Sequence, residues 1–325
     1  MSGDQLIAND LTAFCVAFVA NIFLIYLIYR KTPVHMKGYS RILLVHTVQD
    51  LYYTILQFVT SVEPFSYQGK LVMVLAGMIK HVDLAYSWIL FSAVYQCVII
   101  ELFLTPIDFI YRYLTVSKNK VITNMQLYTS IGIVYVISIV EAFPLAITVV
   151  KYGPTDDDKE TMLFTKELQQ LQPYSDYMPT FLYSNAETTL FPINVVTQII
   201  TSAFIYILIY WLYLQVCVSV KIHILHHKTS KVAQTEQQIN RVMFVQFLIP
   251  FLGNCLPIMI TSMFSILKID CVMLGMYNRV VCAWLTAIKP LFTICLIPSY
   301  RNQIYKTKKS SVFATTVATA RINGK

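Results

Sequence analysis

Three ionisable side chains lie inside long apolar stretches of the sequence: Asp50, Glu101 and Lys289. Charged groups are costly in apolar surroundings, and they usually pair with one another or face a water-filled cavity. If each stretch is a helix rising about 1.5 Å per residue, the three residues lie roughly 13, 16 and 18 Å from the basic residue at one end of it. These similar depths predict a buried polar cluster in which Lys289 bridges the two acids. One acid is expected to hold a proton, because two acids share one lysine.

Seven apolar stretches are each long enough to cross the ~30 Å hydrocarbon core of a bilayer as a helix. They cover about residues 11–29, 42–62, 84–110, 125–150, 190–220, 242–267 and 272–298. Of the 325 residues, 56% are apolar and only 13% are charged, whereas soluble domains carry about a quarter charged residues. The sequence therefore predicts an all-α membrane protein, a seven-transmembrane helix bundle over residues 1–300, followed by a tail over 301–325.

Basic residues indicate the orientation of these helices. Most of the 25 lysines and arginines lie in one set of connecting segments and in the tail, whereas the opposite segment 151–189 is acidic. The positive-inside rule places the basic set in the cytoplasm, so the N-terminus lies outside. Because topology explains the basic excess, no nucleic-acid partner is needed. A shorter apolar run at 71–79 is expected at the outer surface, and whether segment 151–189 is ordered stays open.

Motifs for enzymatic chemistry are missing from the sequence. There is no Walker motif, no HExxH and no glycine-rich nucleotide loop, and the seven cysteines form no metal-type pair. No repeat relates the two halves of the chain, which weakens a transporter interpretation. We therefore expect no enzyme, no cofactor and no bound metal, and a bilayer as the surrounding solvent.

Short motifs follow one another along the predicted spans. They are Leu43-Leu44, Asp50-Leu51, Tyr111-Arg112-Tyr113, Gln246, Pro250, Pro257, Pro290-Leu291 and Tyr300-Arg301. In this order the chain resembles the nematode serpentine chemoreceptors, the group that includes the Str, Srh and Srd families, with an Srd-like receptor as first choice. The resemblance implies a rhodopsin-like G-protein-coupled receptor that binds a small environmental molecule, as in olfaction, and activates a heterotrimeric G protein. It implies the plasma membrane, with a sensory cilium as a candidate site.

The resemblance also gives roles to particular residues. Arg112 and Tyr113 match the motif that contacts the G protein, although Arg112 could instead be an anchor that snorkels to the interface. Tyr111 replaces the acid that precedes this arginine in rhodopsin-like receptors. In those receptors the cluster positions surround a sodium-binding cavity, and here Lys289 would replace the cation. Whether the cluster rearranges on activation or is purely structural stays open. A retinal linkage to Lys289 is not expected, because the opsin lysine lies about two turns further out.

Prolines interrupt the last two spans at Pro250, Pro257 and Pro290. A proline removes one helical hydrogen bond and kinks the helix. In the resembling receptors these kinks would serve as hinges for helix movement during activation. The alternative is that proline is simply common in membrane helices.

A ligand pocket is predicted in the outer half of the bundle. Three aromatic residues recur on one face of the third span, and a cation and a tryptophan lie in the outer part of the seventh. These candidates are Trp88, Phe91, Tyr95, Arg279 and Trp284. Aromatic rings around one cation would suit a small acidic or polar molecule. Helix packing and arginine snorkelling are the competing interpretation.

Two other function classes remain. A peptide or neuromodulator receptor of the same fold is favoured by the long acidic outer segment, which could attract a basic peptide. A transporter or ligand-gated channel is the third possibility and would give ligand-evoked current without G proteins.

Overall fold

A computed structural model describes residues 3–32, 37–79, 83–118, 120, 122–148, 151–153, 159–170, 179–185, 189–226 and 231–302. Its helices are α1 (Gly3–Lys31), α2 (Lys37–Thr60), α3 (Leu84–Arg112), α4 (Asn124–Thr148), α5 (Lys159–Gln169), α6 (Leu190–His226), α7 (Lys231–Pro250), α8 (Leu256–Ile266) and α9 (Val272–Leu296). Its strands are β1 (Val62–Tyr67), β2 (Lys70–Leu75), β3 (Lys151–Gly153) and β4 (Phe181–Asn185). Nearly all of the predicted tail lies outside the described residues.

Seven segments of the described chain are long and apolar enough to cross a membrane: α1, α2, α3, α4, α6, the α7–α8 pair and α9. The prediction of a seven-helix bundle is confirmed. The first helix spans Gly3–Lys31 where residues 11–29 were expected, and the fifth reaches His226 instead of residue 220. Helical hydrogen bonding continues past the apolar stretch, because polar side chains are tolerated once the helix leaves the hydrocarbon core.

The second span shows why the bundle holds polar residues inside. Helix α2 buries His46, Asp50 and Gln57, whereas Val48 and Tyr52 on the opposite face are about half exposed. Lipid is as apolar as leucine, so an outward apolar face has no reason to turn inward, and polar side chains are satisfied only between helices. The helix therefore directs its ionisable groups towards α3 and α9, which pack against it.

The sixth span is interrupted where the prolines predicted a kink. Helix α7 ends at Pro250, a π-helical segment covers Phe251–Cys255, and Pro257 lies in the first turn of α8. A missing proline N–H and a widened π turn both loosen the regular ladder. Pro290, by contrast, lies inside the continuous helix α9. A second π-helical segment, Tyr113–Ser117, follows α3 at the cytoplasmic end.

A four-stranded antiparallel sheet covers the outer end of the bundle, with strand order β1-β2-β4-β3. The sequence analysis did not predict it. The run at 71–79 is at the outer surface as expected, but its first part is strand β2. Strands β3 and β4 and helix α5 all come from the segment whose order was open. Helix α5 packs Phe164 and Leu168 onto the sheet, so this outer layer has an apolar core of its own.

Candidate functional site

The structure brings the three predicted cluster residues together. The Lys289 ammonium donates to Asp50 Oδ1 at 2.6 Å and to Glu101 Oε1 at 2.8 Å. All three side chains are buried, and they come from three different helices, α9, α2 and α3. The three residues lie at similar depth along their helices, so they are at one level of the bundle. Each lies on the polar inner face of its helix, so the three side chains point towards each other. The result is one cation held between two carboxylates in the bundle interior.

Two residues that the sequence analysis did not assign extend this cluster towards the cytoplasm. His46 Nδ1 lies 3.7 Å from Glu101 Oε2, and His46 Nε2 lies 3.0 Å from Asp108 Oδ2. The second contact is close but outside the angular range of a hydrogen bond. The available signal was the spacing: His46 is one turn before Asp50 on α2, and Asp108 is two turns after Glu101 on α3. A row of ionisable side chains therefore runs from Asp50 through Lys289, Glu101 and His46 to Asp108.

At the cytoplasmic end, Arg112 is buried and lies over the ring of Tyr39, with 6.0 Å between guanidinium carbon and ring centroid. The Tyr39 hydroxyl donates to Gln246 Oε1 at 3.2 Å, and the Gln246 amide donates to the Thr293 hydroxyl at 3.4 Å. These contacts connect the second, third, sixth and seventh spans. Thr293 in turn donates to the Lys289 carbonyl, so the cytoplasmic network joins the helix that carries the cluster.

The two tyrosines that flank Arg112 pack differently. Tyr113 opens the π-helical segment, and its ring contacts Trp211 on α6, with 5.9 Å between centroids. The Tyr111 hydroxyl lies against Gly38 at the start of α2, where any larger side chain would collide with it. Tyr111 stands where rhodopsin-like receptors have an acid before this arginine. Arg112 is instead buried in the bundle, with the Tyr39 ring beside its guanidinium.

An outer cavity of about 640 Å³ lies between the helices and the outer sheet. Its floor and sides come from the second, third, fifth, sixth and seventh spans, and β1 and β2 close it from outside. Phe91 and Tyr95, two of the predicted pocket residues, line it, and their rings stack with 6.1 Å between centroids. None of the described residues that line this cavity is charged.

Four buried polar atoms on residues that line the outer cavity have no hydrogen-bond partner among the described residues. They are Gln57 Nε2, Tyr95 Oη, Gln198 Nε2 and Asn278 Oδ1. Leaving a buried polar group unsatisfied costs about 1–3 kcal/mol. Four such groups around one cavity indicate a place where an occupant with complementary polar atoms would bind.

The other three predicted pocket residues do not line this cavity. Arg279 donates from Nε to Asp10 Oδ2 at 2.7 Å, its Nη2 lies 2.7 Å from the same oxygen, and it also pairs with Glu63. Two buried carboxylates, from α1 and β1, neutralise its positive charge within the receptor. Trp284 donates to Asn9 Oδ1 at 3.0 Å, and Trp88 is partly exposed, outside the cavity lining.

The interruption in the sixth span lies beside both sites. Asn254, within the π-helical segment, lines the outer cavity and also a smaller cavity of about 360 Å³ around Asp50, Glu101 and Lys289. The thiol of Cys282 on α9 lies 3.7 Å from Asn254 Oδ1. One residue of an irregular helix therefore borders both the outer cavity and the cluster.

A family model described as serpentine type 7TM GPCR chemoreceptor Str matches residues 8–305. The chain belongs to this family. Str is one of the three families in the resemblance, and the match does not support the narrower Srd-like choice. Among solved structures, squid rhodopsin is similar, with a TM-score of 0.68 and 10% identity over 96% of this chain and 87% of that one. At such low identity the likeness shows the fold alone. No curated protein matches the chain.

For a Str-family receptor, the geometry divides the predicted site residues into two groups. Asp50, Glu101 and Lys289 form the buried cluster, while Arg112 with its network lies at the cytoplasmic end. The receptor's outer cavity is completed by amide and hydroxyl side chains that sequence reasoning missed. The signal was present, since glutamine and asparagine recur on the inner faces of the second, fifth and seventh spans. Polar side chains inside a membrane helix usually face the bundle interior.

Proposed function

We propose that this chain is a chemosensory receptor of the plasma membrane that binds a small neutral molecule in the outer cavity and activates a heterotrimeric G protein. Membership of the Str family supports the receptor class. The observation that carries the ligand assignment is the set of four unpaired polar atoms around a cavity without charged lining residues. A sensory cilium is the location that a chemosensory role would favour.

The lining defines the chemistry of the ligand. Two amide nitrogens, on Gln57 and Gln198, are donors, and the Asn278 carbonyl is an acceptor. The remaining wall is mainly apolar, including Val62, Leu71 and Met73 from the outer strands together with the stacked rings. A charged ligand would lose its hydration without gaining a counter-ion. The ligand we expect is therefore uncharged and largely apolar, and it carries an oxygen that accepts hydrogen bonds.

The outer sheet weighs against the alternative of a peptide receptor. Strands β1 and β2 lie across the cavity and are held by antiparallel pairing with β4. Arg279 on the seventh span binds Asp10 on the first span and Glu63 on β1, and we call this group the Arg279 clamp. It connects the outer sheet to the first and seventh spans. A peptide would need the sheet to open, whereas a small molecule needs only a local opening. The transporter or channel alternative has no support from a repeat in the sequence.

Signal transmission would follow the described contacts. A ligand that binds more tightly to one arrangement of the helices shifts the population towards it. Asn254 on the sixth span lines the ligand cavity. Closer to the cytoplasm, Gln246 on the same span accepts a hydrogen bond from Tyr39, whose ring lies over Arg112. Movement of the sixth span would release Arg112 towards the cytoplasm, where the G protein binds.

The experiment is a ligand screen in cells that carry a G-protein reporter and the surface-tagged receptor. The panel contains neutral ketones, esters and alcohols, with carboxylic acids and amines of matched carbon skeleton. Neutral compounds are expected to activate, and Gln57→Leu to raise the half-maximal concentration at least about tenfold, which corresponds to one lost hydrogen bond of about 1.4 kcal/mol. Gln170→Leu, an exposed position on the outer surface, is the control. Equal responses of the two variants would refute the cavity assignment.

Coupling is tested separately with Arg112→Met. The variant is expected to reach the surface and to bind agonist, but to lose reporter activation. Arg301→Met, an exposed basic residue at the same side of the membrane, controls for the loss of charge. If agonist still activates the Arg112→Met receptor fully, Arg112 is an anchor and not a coupling residue.

A further inference from the structure

A side cavity of about 660 Å³ lies between the third, fourth, fifth and sixth spans, separate from the Arg279 clamp and deeper than the outer sheet. Its lining carries two carboxylates, Glu101 and Glu141, and no lysine, arginine or histidine among the described residues. Glu101 is already paired with Lys289 and lies beside His46. Glu141 is the carboxylate of this cavity that has no hydrogen bond or ion pair among the described residues.

Glu141 is unusual for its position. It lies on α4, seventeen residues or roughly 25 Å from the cytoplasmic start of the helix at Asn124, in the outer part of the span. The side chain is half-buried. Within the described ranges it makes no hydrogen bond and no ion pair. A carboxylate within a membrane span is costly, and intramembrane ionisable residues commonly mark a ligand or ion pathway.

The rest of the lining suits a cation with an apolar body. The rings of Tyr95, Tyr206 and Phe247 line the same space as Glu141, together with the thioether of Met259. Aromatic faces attract ammonium groups, most strongly where water is excluded. Two unpaired groups, Tyr95 Oη and Gln198 Nε2, border this cavity as well as the outer one and could accept or donate to an amine or its substituents.

We propose that the side cavity is a second binding site, for a small protonated amine, with Glu141 as its counter-ion. This site goes beyond the neutral ligand of the outer cavity. The two cavities share walls, made of Tyr95, Val98, Gln198, Asn254 and Ile258. An amine that orders these side chains changes the outer wall, so the affinities of the two sites are coupled, and the coupling is reciprocal.

The test uses two probes of one carbon skeleton, cyclohexylamine and cyclohexanol, with purified receptor in nanodiscs. Binding is measured by saturation-transfer NMR, and empty nanodiscs give the lipid background. Cyclohexylamine is expected to bind saturably to the unmodified receptor. Glu141→Gln should weaken that binding at least about tenfold, as expected when a charge-assisted contact worth about 1.5–3 kcal/mol is lost. Glu167→Gln, the same substitution at a partly exposed position of α5 that lines neither cavity, should leave binding unchanged.

Further variants separate this proposal from the proposed function and from misfolding. Glu141→Asp keeps the negative charge and should therefore retain most amine binding. If Glu141 had only a structural role in folding, amine binding would not depend on whether the substituted side chain is charged. Gln57→Leu acts on the outer cavity alone, so a loss of neutral-ligand response there leaves the amine result intact. Saturable amine binding that is equal in the Glu141→Gln and Glu167→Gln receptors, or no binding beyond empty nanodiscs, overturns the second site.

Discussion

The Lys289 ammonium lies 2.6 Å from Asp50 Oδ1, so an ion pair between buried side chains joins the seventh span to the second. The same ammonium reaches Glu101 on the third span at 2.8 Å. Replacing a buried ion pair by apolar groups is often neutral, whereas removing one partner leaves an uncompensated charge. The cluster is therefore most sensitive to the loss of its single lysine.

Lys289→Met is expected to destabilise the receptor by about 3–5 kcal/mol, because two carboxylates would then face each other in the bundle interior. The measurements are surface expression in cells and the thermal unfolding midpoint in detergent. Asp50→Asn combined with Lys289→Met should recover part of the loss, since one stranded charge is removed together with the lysine.

The control for this prediction is Lys159→Met, at an exposed position of α5. If Lys289→Met leaves surface expression, unfolding midpoint and signalling all unaltered, the cluster has neither a structural nor a signalling role. A normal midpoint with altered signalling would instead show that the pair matters for the change of state alone.

Tyr39→Phe is expected to raise signalling without ligand. The ring over Arg112 remains, but the hydrogen bond to Gln246 on the sixth span is lost. A bond of this kind contributes about 0.5–1.5 kcal/mol, so the active population should rise several-fold. Basal reporter activity at matched surface expression measures this. Tyr29→Phe, on the exposed face of α1, should behave like the unmodified receptor, and equal basal activity of both variants would contradict the prediction.

Arg279→Met is expected to lower stability without changing which ligands activate the receptor. Its guanidinium holds Asp10 and Glu63, so the substitution strands two buried carboxylates and should cost about 3–5 kcal/mol. The unfolding midpoint and the rank order of agonists in the reporter assay are measured together, with Arg301→Met as control. A changed rank order would return Arg279 to the ligand pocket.

The helical bundle and its polar cluster were accessible from the sequence for a physical reason. Hydrocarbon thickness sets the length of each apolar run, and the helical rise converts sequence position into depth. Depth alone placed Asp50, Glu101 and Lys289 at one level. Their orientation towards the bundle interior followed because polar side chains in a membrane helix face away from lipid. Both arguments apply to residues inside the spans, where the surrounding lipid restricts the backbone to helices and directs polar side chains inward.

Outside the hydrocarbon core these restrictions disappear, and the prediction missed more. The hairpin β1–β2 turns at Gln68 and Gly69, both with positive φ, but only Gly69 is a typical residue for such a turn. The partners of Arg279 lie in remote segments, Asp10 on the first helix and Glu63 on the hairpin. No periodicity relates these positions, so their pairing depends on tertiary structure.

Gly253→Ala is expected to destabilise the receptor, because a Cβ at this position of the sixth span would lie 2.6 and 2.8 Å from the two terminal carbons of Leu285. The collision falls within the π-helical segment, where the sixth and seventh spans pack closely. The cost expected from overpacking is about 1–3 kcal/mol. Gly132→Ala on α4 is the matched control, since no atom lies within 4 Å of its added Cβ and alanine favours the helix by about 0.5–1 kcal/mol. Leu285→Ala should relieve the defect of Gly253→Ala if the contact itself is the cause. Unfolding midpoints that change equally in both glycine variants would show that this close approach does not decide the effect.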